Sequence, residues 1–247
     1  MFSALSNLFK RETLKGFSDL EKTADVHCHI LSGVDDGFQS LQDSIDALKR
    51  YQELGYKKVY LTPHMNLDSF AGNNETMLKE RYAWFMDAIP SDLNLDIRLA
   101  AEYMVNEDLD LDREFLTFAD RTVLIEMSYY FESPNIKDVI YNLSLDGYNL
   151  VLAHPERYMF YHRKISKIEE LVNLGCRLQL NILSLTPYYS QGTIAMAQEL
   201  LKSGMYSFIG NDLHTLKQLD GIEKVSFKAD LLPHLQKLYN NNLTLFD

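Results

Sequence analysis

Eight residues spread along the chain carry side chains suited to holding metal ions: His27, His29, His64, Glu102, Glu126, His154, Asp212 and His214. His27 and His29 stand two apart in a run that reads as a strand, so both imidazoles face one side and Cys28 the other. Such a pair can grip one metal or serve as hydrogen-bonded core. Asp212 and His214 repeat the spacing in the last apolar run. Glu102 follows Leu-Ala-Ala and Glu126 follows Val-Leu-Ile, and a lone carboxylate buried in an apolar strand is costly unless it is paired or ligates a metal. A salt bridge to a buried arginine is the alternative, and it would have to hold twice. Five of the seven histidines fall in this set, leaving His162 and His234. Mixed imidazole and carboxylate ligands suit Mn, Fe or Zn better than Ca or Mg. Eight ligands exceed the needs of one ion. They fit two or three ions sharing bridging carboxylates and a bridging hydroxide, an arrangement that hydrolyses phosphoesters.

The elements that must position these residues alternate. The short apolar runs TADVHCHI, KKVYLTPH, IRLAAEY, RTVLIEMS, NLVLAHPE, RLQLNILS and YSFIGNDLH read as buried strands. Between them SLQDSIDALKRYQELG, NETMLKERYAWFMDAI, NIKDVIYNLSLDG, ISKIEELVNLG and TIAMAQELLKSG place apolar residues three and four apart, as helices do. Gly55, Gly147, Gly175 and Gly204 stand where a left-handed C-cap would end a helix. Strand and helix in alternation imply a parallel sheet, and seven strands are about enough to close a (β/α)8-like barrel with one unit fewer. His29, His64, Glu102, Glu126, His154, Asn181 and His214 each end an apolar run. In a parallel barrel those ends share one face, where active sites are built.

The chain has 247 residues, 46% of them apolar and 24% charged, which suits one domain with a sizeable core. A formal net charge of −11 argues against nucleic acid. Two cysteines, Cys28 and Cys176, are too few for a disulfide framework, and no apolar run has the length of a membrane span. A reducing, cytoplasmic setting is expected. Residues 1–22 read as an N-terminal extension in which Phe2, Leu5, Leu8 and Phe9 lie near helical spacing, with Lys10, Arg11 and Lys15 following; residues 23–247 form the domain. Neither cysteine belongs to a C-x5-R phosphate loop, since Val34 and Ile182 occupy the arginine positions, and no G-x-S-x-G elbow is present.

The segments DVHCHILSGVDDG, YLTPH, AAEY, VLIEMS, LAHPERY, LQLNILSLT and GNDLH jointly resemble the polymerase and histidinol phosphatase (PHP) superfamily. Within it, they are most similar to the bacterial manganese-dependent protein-tyrosine phosphatases of capsular and exopolysaccharide systems. The resemblance implies a single distorted TIM-like (β/α)7 barrel with a trinuclear centre, and carries the ligand role onto the eight residues above. It implies two or three ions of manganese, with iron, zinc or magnesium as alternatives. It gives Arg157 a role in binding the phosphoryl group, which a fork of donors suits, and it offers Asp35 and Asp36 as supporting or proton-transfer groups, with Asp36 the candidate acid for the leaving tyrosinate. Relatives commonly carry an arginine shortly after the last D-x-H, where Lys217 is the nearest replacement. The stretch MNLDSFAGNN after His64 also departs from the family pattern.

These readings lead to hydrolysis of phosphomonoesters, foremost protein phosphotyrosine, by a metal-bound hydroxide attacking in line. A phosphotyrosine protein is the expected partner, including a tyrosine kinase of polysaccharide export. The tyrosine pairs Tyr129–Tyr130 and Tyr188–Tyr189 stand where rings could pack on a substrate ring or merely fill a barrel rim. The rivals are a small-molecule phosphatase acting on histidinol phosphate or a sugar phosphate, an amidohydrolase, which would want a bridging lysine, and a non-catalytic metal-stabilised module docking on a tyrosine kinase.

Overall fold

The computed structural model describes residues 14–247, so the helical reading of Phe2 to Arg11 lies outside the described residues. An antiparallel ribbon joins β1 (Leu14–Gly16) to β11 (Ser226–Lys228). Next to it Phe17 and Leu20 are buried, so the described part of the first 22 residues packs against the remainder of the chain.

The other strands are parallel. Three of them, β2 (Ala24–Asp25), β3 (Lys58–Leu61) and β5 (Asp96–Leu99), pair in the order β2-β3-β5. The remaining strands are β4 (His64–Met65), β6 (Glu102–Met104), β7 (Thr122–Glu126), β8 (Asn149–Ala153), β9 (Arg177–Asn181) and β10 (Tyr206–Gly210), in the order β10-β9-β8-β7-β6-β4. Two expected strands are thus each broken in two. Pro63, which has no N–H to donate to a ladder, separates β3 from β4, and Ala100–Ala101 separate β5 from β6. The first half of each lies in the small sheet and the second half in the large one. The parallel α/β architecture agrees with the alternating sequence pattern, whereas one continuous ladder of seven strands is not what the described residues form. An isolated parallel bridge between Cys28 and Leu213 links the segment after β2 to the segment after β10.

Both faces of the sheets are covered, which accounts for the nearly unbroken apolar runs. Val123, Ile125, Leu150 and Leu152 join the larger hydrophobic cluster. Their alternate neighbours Leu124, Val151 and Ala153 join a smaller one with Ala24, Tyr60 and Phe208, residues of both sheets. The helices are α1 (Leu41–Glu53), α2 (Glu75–Asp87), α3 (Ile136–Leu145), α4 (Ile165–Asn173), α5 (Gln191–Lys202), α6 (Leu216–Glu223) and α7 (Leu232–Asn242). Ser40, Asn74, Ser190 and Thr215 accept a backbone N–H as N-caps of α1, α2, α5 and α6. Gly55 and Gly147 end α1 and α3 at φ of 99° and 80°, conformations that cost a side-chain-bearing residue energy.

Candidate metal centre

His27 and His29 lie just past β2, where the backbone crosses to the end of β10. Asp212 N donates to His27 O at 2.7 Å and His29 N donates to Leu213 O at 2.8 Å. This exchange brings the H-x-H and D-x-H pairs together. The approach is close: at Gly210 a Cβ would stand 2.6 Å from the Cβ of His27, so only glycine fits. Each imidazole is held through Nδ1. That of His27 donates to Gln179 Oε1 at 2.8 Å, and that of His29 to the carboxylate of Asp35 at 2.9 Å. The two Nε2 atoms then face each other at 3.2 Å. While His27 is protonated its Nε2 can donate to His29; once it is neutral with the proton on Nδ1, both Nε2 lone pairs are open to a cation, and anchoring the outer nitrogen in this way is how ligating histidines are commonly oriented.

The carboxylates converge on the same space. Glu102 Oε2 lies 3.2 Å from His27 Nε2, 3.5 Å from His29 Nε2 and 3.1 Å from His64 Nδ1. Although it is buried, it has no hydrogen-bond partner. Its other oxygen accepts from His154 Nε2 at 3.1 Å. Glu126 Oε1 is 2.9 Å from His64 Nδ1, and Asp212 Oδ1 is 3.4 Å and 3.3 Å from His27 and His29. A buried carboxylate oxygen ringed by three imidazole nitrogens suits a metal ligand. Three groupings place donor atoms within 4.8 Å of one another using only expected residues: His27, His154 and Asp212; His27, His29 and Glu102; His64, Glu102 and Glu126. A fourth adds Asp36 to His29, His64 and His214.

The field at the site favours positive charge. Burial lowers the pKa of His27, but the carboxylates of Glu102 and Asp212 outweigh it and bring the imidazole up to about 9. Burial likewise opposes the charged forms of His64, Glu102 and Asp212. Their opposite neighbours prevail and hold the imidazole well above its ordinary value and the two carboxyls well below theirs. Backbone strain gathers here too. Of the four non-glycine residues with positive φ among those described, His154 at 36° and Asp212 at 50° are both expected ligands.

Arg157 follows His154 in a 3-10 turn, Pro155–Arg157. Its guanidinium pairs with Asp212 and sits between two rings, 4.6 Å from the centroid of Tyr129 and 4.8 Å from that of Tyr189. It lines a cavity of about 250 Å³ whose wall also includes His64, Glu126, Asp212 and His214. Phe70 lies parallel to the His64 ring with centroids 5.6 Å apart and completes one side. One tyrosine of each sequence pair therefore braces Arg157, while Tyr130 and Tyr188 are exposed.

The eight expected ligands and Arg157 come together. Lys217 does not: it is exposed in the first turn of α6 and is absent from the cavity wall. Asp35 supports from behind, accepting from His29 and from His64 N at 3.0 Å. Asp36 Oδ1 is 3.4 Å from His64 Nε2 and 3.5 Å from His214 Nε2. The hydrogen bond with His214 is the main reason its carboxyl is lowered to about 2. An ionised carboxylate between these two imidazoles suits the role of a metal ligand. Sequence reasoning missed Gln179 and Phe70. A glutamine alternating with leucines in RLQLN was the available signal for the first; Phe70 falls in the stretch after His64, where no pattern pointed to it.

The model of the capsular polysaccharide synthesis family CpsB/CapC matches residues 23–221. The tyrosine-protein phosphatase YwqE of Bacillus subtilis is 26% identical over 197 residues, 78% of either chain. The tyrosine-protein phosphatase CpsB of Streptococcus pneumoniae is 26% identical over 203 residues, covering 78% of this chain and 83% of its own. Among solved structures, one described as YwqE from Bacillus subtilis and CpsB from Streptococcus pneumoniae, unique metal-dependent tyrosine phosphatases, superposes with a TM-score of 0.77 at 25% identity, over 91% of this chain and 94% of that one. A phosphotriesterase homology protein from Escherichia coli shares the fold alone, with a TM-score of 0.51 at 10% identity.

Proposed function

This chain belongs to the CpsB/CapC family of capsular polysaccharide synthesis, and from that premise we propose that it hydrolyses protein phosphotyrosine at a centre of two or three divalent metal ions. The observation that carries the reading is Glu102 Oε2, buried and within 3.5 Å of three imidazole nitrogens from distant segments. The residues fit the metals. His27, His29, His64, Glu102, Glu126, His154, Asp212 and His214 would hold them, and Asp36 joins the set as a ninth ligand rather than as the acid. Manganese suits this mixed donor set, with iron, zinc or magnesium as alternatives. Bound there, the ions supply Lewis acidity and a nucleophile at neutral pH.

The chain's own residues do the rest. Arg157, fixed by Asp212 and two tyrosine rings, presents its remaining N–H donors to the phosphoryl oxygens, where charge develops as the ester bond breaks. Phe70 and Tyr129 give the substrate ring an apolar wall. The leaving tyrosinate, with an ordinary pKa of about 10, departs without a strong acid, in keeping with an ionised Asp36. On this reading the two sheets belong to one distorted (β/α)7 barrel, which the bridge between Cys28 and Leu213 supports, with 23–247 as one domain and 1–22 as an extension of it. The setting is the cytoplasm, and the substrate is a phosphotyrosine protein such as a tyrosine kinase of polysaccharide export. Among the described residues no helix is long and apolar enough to cross a membrane.

The test is metal content and turnover of a phosphotyrosine peptide measured on one preparation. Two to three ions per chain and activity abolished by EDTA and restored by Mn are expected. Full turnover by the metal-free protein would refute the proposal, and tight peptide binding without turnover would favour the docking-module alternative.

A further inference from the structure

The cavity opens sideways into a larger groove of about 600 Å³, and the two share Asn66, Ser69, Met104 and Tyr129. The groove is built from the loops that follow β4, β6 and β7, three strands adjacent in the large sheet. Its apolar surface includes Val105, Pro134, Tyr130 and Phe131, the last two 82% and 64% exposed. Such aromatic exposure beside a reaction site is unusual for side chains with no partner to cover.

Its charge is one-sided. Asp68, Glu107 and Asp108 line the groove, and no lysine or arginine does. Glu107 and Asp108 are exposed and form no ion pair among the described residues, and Asp68 receives only the neutral amide of Asn106 at 3.4 Å. The nearest guanidinium along the chain, that of Arg113, is engaged by Glu75 at 2.6 Å.

We infer that this groove is the subsite for the polypeptide flanking the phosphotyrosine, and that it selects substrate segments carrying lysine or arginine beside the modified residue. The inference rests on the phosphatase reading above. Continuity with the cavity means that a peptide whose phosphate reaches Arg157 must leave past Tyr129, over Tyr130 and Phe131. Three carboxylates there reward basic side chains and repel acidic ones, an effect on specificity more than on chemistry.

The experiment uses the full, metal-loaded chain and four substrates: p-nitrophenyl phosphate and three phosphotyrosine peptides of equal length whose flanks are basic, neutral or acidic. At low salt kcat/KM for the basic peptide should exceed that for the acidic one about tenfold, shrinking to about twofold at high salt. In the double variant Glu107→Gln, Asp108→Asn the ratio should fall to about two, with p-nitrophenyl phosphate turnover unchanged. Phe131→Ala should lower kcat/KM about fivefold for all three peptides and leave the small substrate alone. Equal rates for the three peptides, or a tenfold preference that persists undiminished in the double variant, overturns the subsite. If no substrate is turned over, the phosphatase reading is what has failed. Fluorescence anisotropy with the same peptides then judges the groove, the basic peptide binding tightest to the unsubstituted chain and equal affinities counting against it.

Discussion

At the scale of single residues, the two nitrogens of His27 and His29 that face each other show how the centre works. Each outer nitrogen is tied to Gln179 or Asp35, which aims the inner pair at the space between them. Arg157 is the residue most sharply defined by its surroundings, and it yields the first prediction. A lysine in its place keeps the charge but loses the planar fork and the stacking between Tyr129 and Tyr189. Arg157→Lys should lower kcat/KM for p-nitrophenyl phosphate about a hundredfold with metal content by elemental analysis unchanged; a change within twofold would remove Arg157 from the mechanism. The grouping of these eight residues was legible in sequence because carboxylates and imidazoles inside apolar strands are too costly to bury without a counter-charge or a metal. Lys217 was misplaced because nearness in sequence to His214 says nothing about which way α6 carries it. Asp36 was given the role of acid because its charge environment, two imidazoles from distant segments, exists only once the chain is folded.

At the scale of elements, helix limits were readable from amphipathic spacing and terminal glycines, both local signals. Strand breaks were not. KKVYLTPH and IRLAAEY look continuous because both halves are buried, and only the pairing partners, set by distant segments, reveal that each run changes sheet. Helices α6 and α7, like the ribbon of β1 with β11, went unrecognised although α7 is longer than α3 and α4. The loop GVDDG also shows its purpose only in three dimensions. A Cβ at Gly37 would collide with the carbonyl oxygen of His29 and lie 2.5 Å from its Cβ, while Gly37 N donates to Asp35 at 2.9 Å. Gly37→Ala should therefore push Asp35 away from His29. Thermal unfolding should register a loss of about 1–3 kcal/mol, with manganese affinity reduced at least tenfold. Unaltered affinity and stability would mean that the loop yields without disturbing the ligands.

At the scale of the whole molecule, fold and centre depend on each other. The centre concentrates carboxylates and imidazoles from distant segments of the chain, and ligands that bind only the folded chain stabilise it by mass action. Manganese in excess should raise the melting temperature by about 5 °C or more relative to an EDTA-treated sample, as read by calorimetry; coincident transitions would argue that no ion is held. The bridge between Cys28 and Leu213 bears on how such a protein comes into being. His27 leaves the ribosome about 185 residues before its partner Asp212, and α7, whose Asn242 donates to both Ala24 O and Ile209 O, comes later still. Contacts this distant in sequence form late and slowly. A nascent chain, or one interrupted before residue 212, exposes at most six of the eight histidine and carboxylate groups named first, and never the pair that completes them. Synthesis itself thus withholds competence until Asp212 and the segments that follow it have emerged.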